Sequence, residues 1–267
     1  GCKSITESRE GLTPLLVAAK SGDLSSVDNL LSKGVDVNKG SKFDWTALMF
    51  ASREGHIEVV TRLLDADADP NLISKRITGN TQVPYPKTTA LAEAIKKKHL
   101  SVANKLLEGG ALPDPMSVAL AGGLDDLATL KHLIAKGADL NKDAQVIGLS
   151  TPLLQACSGG RIENVKWLIQ NGADLKGVFL MVATYHDQLE IMEHVLALDK
   201  EKKLFAEEEL SAAMHWTATK NNTRVKDFDT SMKILKMLLE QGGNVEYRPS
   251  SGQWENKTVL EAMRKLR

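Results

Sequence analysis

Histidine and cysteine are the residue types that most readily bind metal ions or act as nucleophiles, and the chain has six histidines and two cysteines. His186, His194 and His215 form no HxxxH pair, and Cys2 and Cys157 lie far apart in the chain. A structural zinc site needs closely spaced ligand pairs, so none is indicated. The acidic runs DADADPN and GADLNKD lack the closing glutamate of an EF-hand loop. With no phosphate-binding or nucleophile-elbow motif either, the sequence predicts no metal, no cofactor and no catalytic residue.

The charge balance argues against a general affinity for nucleic acids or membrane surfaces. The chain has 34 basic and 34 acidic side chains, and its formal net charge is +0. A global cationic field is therefore absent. The longest apolar runs are far shorter than the ~20 residues that span a bilayer, so no transmembrane segment is predicted. At 267 residues the chain is either two domains or one elongated repeat array.

An internal repeat favours the array. The stretch GLTPLLVAAKSGDLSSVDNLLSKGVDVN, which begins at Gly11, is restated from Asp44 as DWTALMFASREGHIEVVTRLLDADADPN. The aligned threonines, Thr13 and Thr46, lie 33 residues apart, which is a period of solenoid proteins. A third copy begins at Thr89. Further copies follow, and we predict about seven repeats with a partial one at the C-terminus.

Each copy is typical of a helix, a turn, a second helix and an extended turn. Thr13 has an N-cap side chain, Pro14 suits the first helical position, and Gly34 suits the end of the second helix. A small residue recurs at one place in the first helix, where it allows neighbouring helices to approach closely: Ala18, Ala51, Ala94, Ala121, Ala156 and Ala183. The pattern predicts an all-α solenoid of stacked helix-turn-helix units with projecting hairpin-like turns.

The quoted copies, TPLLVAAKSGDLSSVDNLLSKGVDVN and WTALMFASREGHIEVVTRLLDADADPN, resemble ankyrin repeats. The resemblance covers roughly residues 10 to 267. It implies an ankyrin-repeat solenoid that is a monomer and binds a protein or an extended peptide on a concave face formed by the hairpins and first helices. We predict a tether at residues 1–9 and a repeat domain at residues 10–267, with insertions at 73–87 and 214–228.

The resemblance also assigns structural roles to three side chains of chemically reactive types. His56 and His99 occupy the family's Gly-His position, where the imidazole is expected to hydrogen-bond to neighbouring backbone. Cys157 falls where other copies carry Ala19 and Ser52, so we expect a small buried side chain.

The groove positions of the family carry basic and aromatic side chains in this chain. The resemblance implies that residues four, three and one before the threonine, and seven and eight after it, point into the groove. Aromatic residues and arginine are favoured interface anchors, and the cations around them favour an acidic partner segment. The alternative is that the aromatic rings merely cover the stack and the lysines are solvated. The predicted partner-binding residues are Lys42, Phe43, Trp45, Arg53, Tyr85, Lys96, Lys97 and Tyr185.

The first residues, GCKSITESRE, raise a question of localisation. Bacterial lipoproteins are cleaved just before a cysteine that then carries the lipid, and the Gly1-Cys2 pair with its polar tether is similar to that arrangement. This favours a lipid-anchored protein of the bacterial cell envelope, with Cys2 as the attachment site. The alternative is a cytoplasmic protein in which Cys2 is incidental.

Three functions remain open at this point. The first is a non-enzymatic protein-protein interaction module or scaffold. The second is a secreted bacterial effector or inhibitor that acts on a host or envelope protein through the same face. The third is an enzyme, which requires a pocket near residues 185 to 228. A solenoid has no single deep crevice where catalytic groups converge, so binding is the favoured interpretation.

Overall fold

The chain folds into helix pairs that form two compact units, Gly1–Thr151 and Pro152–Arg267. The described residues fold into fourteen α-helices, and no strand is assigned among them. This confirms the predicted all-helical class, while the partial C-terminal repeat lies outside the described part of the chain. This computed structural model describes residues 11–75, 87–144, 151–175, 177–219 and 228–247.

The first unit contains four helix pairs. Its first helices pack on one another in chain order, and so do its second helices. Each pair thus buries its apolar side chains against the next pair as well as internally. The helices are α1 (Pro14–Ser21), α2 (Leu24–Ser32), α3 (Ala47–Glu54), α4 (Ile57–Leu64), α5 (Ala90–Lys96), α6 (Leu100–Glu108), α7 (Pro115–Gly122) and α8 (Leu127–Ala135).

The second unit contains three pairs with the same order of contacts. The first helices α9, α11 and α13 pack in sequence, as do the second helices α10, α12 and α14. Their bounds are α9 (Pro152–Ser158), α10 (Ile162–Gln170), α11 (Gly177–Tyr185), α12 (Leu189–Lys202), α13 (Glu207–Thr219) and α14 (Phe228–Glu240). The predicted insertion at 214–228 thus begins inside α13, and residues 220–227 lie outside the described ranges.

Threonine side chains begin the first helices α1, α3 and α5. The hydroxyl oxygens of Thr13, Thr46 and Thr89 accept the backbone N–H three residues further on, at 3.4, 3.3 and 3.1 Å. This confirms the N-cap predicted for Thr13. The recurring alanines are all buried, none more than 5% exposed, which allows the close packing of neighbouring first helices.

Histidine rings pack closely against glycines where consecutive repeats meet. Gly22 and Gly55 end α1 and α3 with φ values of 75° and 84°. A Cβ added to Gly22 would lie 2.7 Å from the His56 ring, and one added to Gly55 would lie 2.6 Å from His99. His56 Nε2 donates to the carbonyl oxygen of Lys20 at 3.2 Å, as predicted from the family position.

Asparagine side chains link the turns that follow the second helices. Asn38 Oδ1 accepts the N–H of Asp69 at 2.8 Å. Asn71 repeats this contact one copy later: its Oδ1 accepts the N–H of Leu112 at 2.8 Å, and its Nδ2 donates to the carbonyl oxygen of Gly110 at 3.1 Å. The turns of successive repeats are thus held in a constant register.

Some of the remaining sequence-based expectations concern described residues, and others concern residues outside the described ranges. Cys157 is fully buried, and desolvation raises the pKa of its thiol to about 12, which confirms a buried packing role. No helix in the described ranges is both long and apolar enough to cross a bilayer. Cys2 and the tether at residues 1–9 lie outside those ranges, so the lipid attachment, the cellular location and the domain boundaries stay predictions.

Candidate functional site

The turn before α3 fixes the backbone of Phe43 and Trp45. The N–H of Ser41 donates to the carbonyl oxygen of Trp45 at 2.9 Å, which closes a hairpin-like turn. The hydroxyl oxygen of the buried Ser41 accepts the N–H of Phe43 and that of Trp45, both at 3.3 Å. Asp44, between them, has a φ of 57° in the left-handed region. Two aromatic side chains are therefore presented from a turn whose backbone is fixed by several hydrogen bonds.

The next turn along the chain pairs with this one. The N–H of Lys75 donates to the carbonyl oxygen of Phe43 at 2.9 Å, and the Lys75 ammonium lies 3.1 Å from the Asp44 carboxylate. The N–H of Ser74 donates to the carbonyl oxygen of Thr88 at 3.0 Å. The insertion between the second and third repeats thus leaves and rejoins the described chain at neighbouring points, beside the turn that carries Phe43.

Four side chains form an aromatic–cation cluster, which consists of Lys20, Trp45, Phe50 and Arg53. The rings of Trp45 and Phe50 lie 5.1 Å apart between centroids, with an interplanar angle of 49°. Arg53 Cζ lies 5.4 Å from the Trp45 ring, and Lys20 Nζ lies 5.8 Å from the Phe50 ring. Both distances fall in the range of cation–π interactions. Lys20 belongs to α1, so the cluster crosses the boundary between the first two repeats.

A buried carboxylate lies next to this cluster. Glu93, on α5, is only 3% exposed. Its Oε1 accepts the hydroxyl of Thr88 at 2.9 Å, and its Oε2 lies 4.0 Å from Nε of Arg53. A buried carboxylate is costly unless it is hydrogen-bonded and paired with a positive charge. Thr88 and Arg53 supply these two partners, which extends the cluster to the third repeat.

Some of the predicted site residues are brought together and others are not. Trp45 and Arg53 are neighbours in the cluster, and Lys42 Nζ lies 4.9 Å from the ring centroid of Phe43. The two aromatic side chains are half-buried, so each keeps accessible surface. Two predicted residues are exposed at the end of α5, namely Lys96 and Lys97, and two lie outside the described residues, namely Tyr85 and Cys2.

Two residues of this region, Phe50 and Glu93, were not predicted from the sequence. Each lies four positions after the N-cap threonine of its repeat. Phe50 lies three positions before the predicted groove residue Arg53, and Glu93 lies three positions before Lys96. Residues three positions apart share one helix face. This spacing was the signal that could have identified them.

The second unit has an aromatic pair of its own. The ring of Tyr185, at the end of α11, lies 6.4 Å from the ring of Trp216 on α13, with an interplanar angle of 42°. The His186 ring makes an edge contact with Tyr185 at 5.0 Å. Trp216 is 41% exposed and was missed, because the sequence interpretation assigned it to an insertion. The continuation of α13 to Thr219 places it on a first helix instead.

These side chains are of the types that contribute most to binding at protein interfaces. Aromatic faces with fixed cations provide apolar contact area and charge complementarity, both of which bind other molecules. Within the described ranges, no group of three or more His, Cys, Asp or Glu side chains is placed to hold a metal ion.

Known proteins resemble stretches of this chain. A family model described as ankyrin repeats (3 copies) matches residues 1–74 and 115–205. The mitochondrial disaggregase of Homo sapiens is 48% identical over 58 residues, which are 22% of this chain and 8% of that protein. The ankyrin repeat and SAM domain-containing protein 6 of Rattus norvegicus is 45% identical over 67 residues, 25% of this chain and 8% of that protein. The NAD-capped RNA hydrolase NUDT12 of Pongo abelii is 35% identical over 71 residues, 26% of this chain and 15% of that protein.

A solved structure resembles nearly the whole chain. The crystal structure of the human ASB11 ankyrin repeat domain matches with a TM-score of 0.52 and 20% sequence identity, covering 96% of this chain and 97% of that one. At this identity the likeness concerns the fold alone, and it confirms the predicted ankyrin-repeat architecture. The curated relatives are matched over only 8% to 15% of their own length, so their activities do not transfer with the repeats.

Proposed function

This chain belongs to the ankyrin repeat family, and we propose that it acts as a binding module without catalytic activity of its own. Ankyrin repeats are protein-interaction modules, and the face that carries the aromatic–cation cluster is the proposed contact surface. The proposed ligand is a protein or an extended peptide, engaged by the hairpin turns and first helices of the first three repeats.

The aromatic–cation cluster is the observation that supports this proposal. The side chains of Trp45 and Phe50 are half-buried. The backbone of Trp45 is fixed by its hydrogen bond to Ser41, and the backbone of Phe50 is fixed by helix α3. Rigid aromatic side chains with accessible faces, next to arginine, are the residue types that dominate binding energy at protein interfaces. Lys20 and Arg53 lie over these rings, so partner residues that contact the rings also meet positive charge.

Selection from a displayed library of random peptides tests the proposal. The immobilised wild-type chain is expected to enrich specific peptides. A variant that combines Phe43→Ala and Trp45→Ala is expected to bind these peptides at least about tenfold more weakly, because it lacks two aromatic anchors. Leu239→Ala provides the control, since it removes an exposed apolar side chain from a second helix of the other unit. Circular dichroism and thermal melting of each variant report whether the fold is kept.

Two results would count against the proposal. One is that the wild-type chain enriches no peptide. The other is that the enriched peptides bind the double variant and the Leu239→Ala control equally well. If the double variant instead loses helical content, the two rings cover the stack, and a Lys20→Ala variant then tests the face without removing an aromatic side chain or the cation that faces Glu93.

A further inference from the structure

Glu93 occupies a position that carries apolar side chains in the two preceding repeats. Four residues after the threonine, those repeats have Val17 and Phe50, whereas the third has this carboxylate. Glu93 is 3% exposed, and its Oε1 accepts the hydroxyl of Thr88 at 2.9 Å. Because an unpaired buried charge is unfavourable, the cation facing its other oxygen is held nearby. That cation is Arg53, whose Nε lies 4.0 Å from Glu93 Oε2.

Among the described residues, the contacts that hold Arg53 in place leave most of its hydrogen-bond donors unused. Its Nε lies 3.9 Å from Glu54 Oε1 and 4.0 Å from Glu93 Oε2, and both distances exceed hydrogen-bond length. Its Cζ lies 5.4 Å from the ring of Trp45. A guanidinium that lies against an aromatic face keeps its planar edge available for acceptors. The side chain is 38% exposed, so a ligand can reach this edge.

The charges around Arg53 favour an anionic ligand. The same face position of the neighbouring repeats carries Lys20 and Lys96, both exposed, and Lys97 follows on α5. The carboxylates within 4.0 Å of Arg53 Nε are those of Glu54 and the buried Glu93, and Asp44 in the neighbouring turn is paired with Lys75. Among these described residues the cations outnumber the carboxylates. Such an excess steers negatively charged partners to the surface and disfavours basic ones.

We infer that Arg53 binds the side-chain carboxylate of an acidic segment of the partner protein through the edge of its guanidinium, with Trp45 as the residue that positions it. The inference rests on the function proposed above, because it names the chemistry of the ligand at that face. Arginine binds a carboxylate by two parallel N–H donors, and such charge-assisted pairs are stronger and more directional than a lysine contact.

A pair of matched peptides tests the inference. A peptide enriched on the wild-type chain is synthesised with its Glu and Asp residues and again with Gln and Asn in their place, and both are titrated by fluorescence anisotropy. The wild-type chain is expected to prefer the acidic form by about tenfold or more. Arg53→Lys keeps the charge but removes the planar fork, so the preference is expected to fall to about twofold.

The role of Trp45 has its own readout in the same titrations. Trp45→Ala is expected to reduce the preference for the acidic peptide to the level of Arg53→Lys, because the guanidinium loses the face against which it lies. Trp45→Phe restores an aromatic face and is expected to restore most of the preference. A residue that only maintained the fold would lower affinity for both peptides alike, which the ratio of the two affinities distinguishes.

Each outcome bears on one of the two proposals. If peptides are enriched but the acidic form is not preferred, or if Arg53→Lys keeps the wild-type preference, the inference is overturned while the binding function stands. If no peptide is enriched at all, the binding function itself fails. Thermal melting of Arg53→Lys and Trp45→Phe provides the control that both variants are folded.

Discussion

The two units use the same helix pairs to present faces of different chemistry. In the first unit, the residue seven positions after the N-cap threonine of each of the first three repeats is basic: Lys20, Arg53 and Lys96. On the first helices of the second unit, Tyr185 and Trp216 lie 6.4 Å apart between their rings. Each unit thus has a pair of rings: Lys20 and Arg53 lie over the pair of the first unit, and the His186 ring makes an edge contact with the pair of the second. The repeat determines where a side chain is presented, and the residue type at that position determines the chemistry of the face.

This difference predicts different modes of recognition. We expect the first unit to select ligands by charge, with a strong dependence on ionic strength. We expect the second unit to contribute apolar and aromatic contact area, whose dependence on salt is weak. The predictions below compare the two units in turn, in order of decreasing effect.

The largest expected effect concerns the thiol of the second unit. Cys157 is buried on α9, and desolvation raises its pKa to about 12. Near pH 8 the thiolate that reacts with iodoacetamide is therefore strongly depleted, and burial also blocks access. In a Cys2→Ser background, which leaves Cys157 as the one thiol of the chain, native alkylation is expected to be at least about a hundredfold slower than alkylation of the unfolded chain.

The labelling experiment also reports on the unit that contains Cys157. Rapid alkylation of the native protein, at the rate of the unfolded chain, would show that α9 is not packed as described. The dependence of the labelling rate on the concentration of guanidinium chloride measures the unfolding of the second unit. The fluorescence of Trp45, in the first unit, provides the comparison once the other tryptophans are replaced by phenylalanine.

The next effect compares two glycines that follow the first helices α3 and α9. Gly55 and Gly160 have φ values of 84° and 69°. An added Cβ would lie 2.6 Å from the imidazole of His99 at Gly55, but 2.9 Å from the end of the flexible Gln188 side chain at Gly160. We expect Gly55→Ala to lower the free energy of unfolding by about 3 kcal/mol and Gly160→Ala by about 1 kcal/mol. Urea denaturation measures both, and equal losses would contradict the steric explanation.

The local features of the fold were predictable because each depends on residues that are close in sequence. Thr13 as N-cap and Gly34 as a residue with positive φ, 73°, follow from the repeat pattern alone. The same holds for the buried Cys157, whose position matches small residues in other copies. These features need only the period of the repeat and the preferences of single residue types.

The features that define the candidate site depend on side chains from different repeats, and sequence indicates them poorly. The contact between Lys20 and Phe50, and that between Arg53 and Glu93, join residues whose distances depend on how the pairs stack. Trp216 was missed for another reason: its copy is interrupted, so the phase of the repeat was lost before α13 ended. Position within the repeat was predictable, but contacts between repeats were not.

The smallest effect compares two asparagines of the turns, one that bonds to the next repeat and one that bonds within its own repeat. The Asn71 amide bonds two backbone groups of the following turn, the N–H of Leu112 and the carbonyl oxygen of Gly110. The Asn244 amide in the second unit instead bonds within its own repeat: its Oδ1 accepts the N–H of Glu246 at 2.8 Å, and its Nδ2 donates to the Glu207 carboxylate at 3.3 Å. A neutral hydrogen bond contributes about 1 kcal/mol, and an exposed side-chain contact contributes less.

We therefore expect Asn71→Ala to lower the free energy of unfolding by about 1.5 kcal/mol and Asn244→Ala by about 1 kcal/mol, because one bond of Asn244 is a neutral bond within its own turn and the other is an exposed side-chain contact. Urea denaturation of Asn71→Asp provides a matched control, because the carboxylate keeps the acceptor for Leu112 but loses the donor to Gly110. An intermediate loss for this variant attributes the effect to the two bonds separately. If Asn71→Ala were no more destabilising than Asn244→Ala, the turns of the first unit would be held by helix packing rather than by the asparagine side chains.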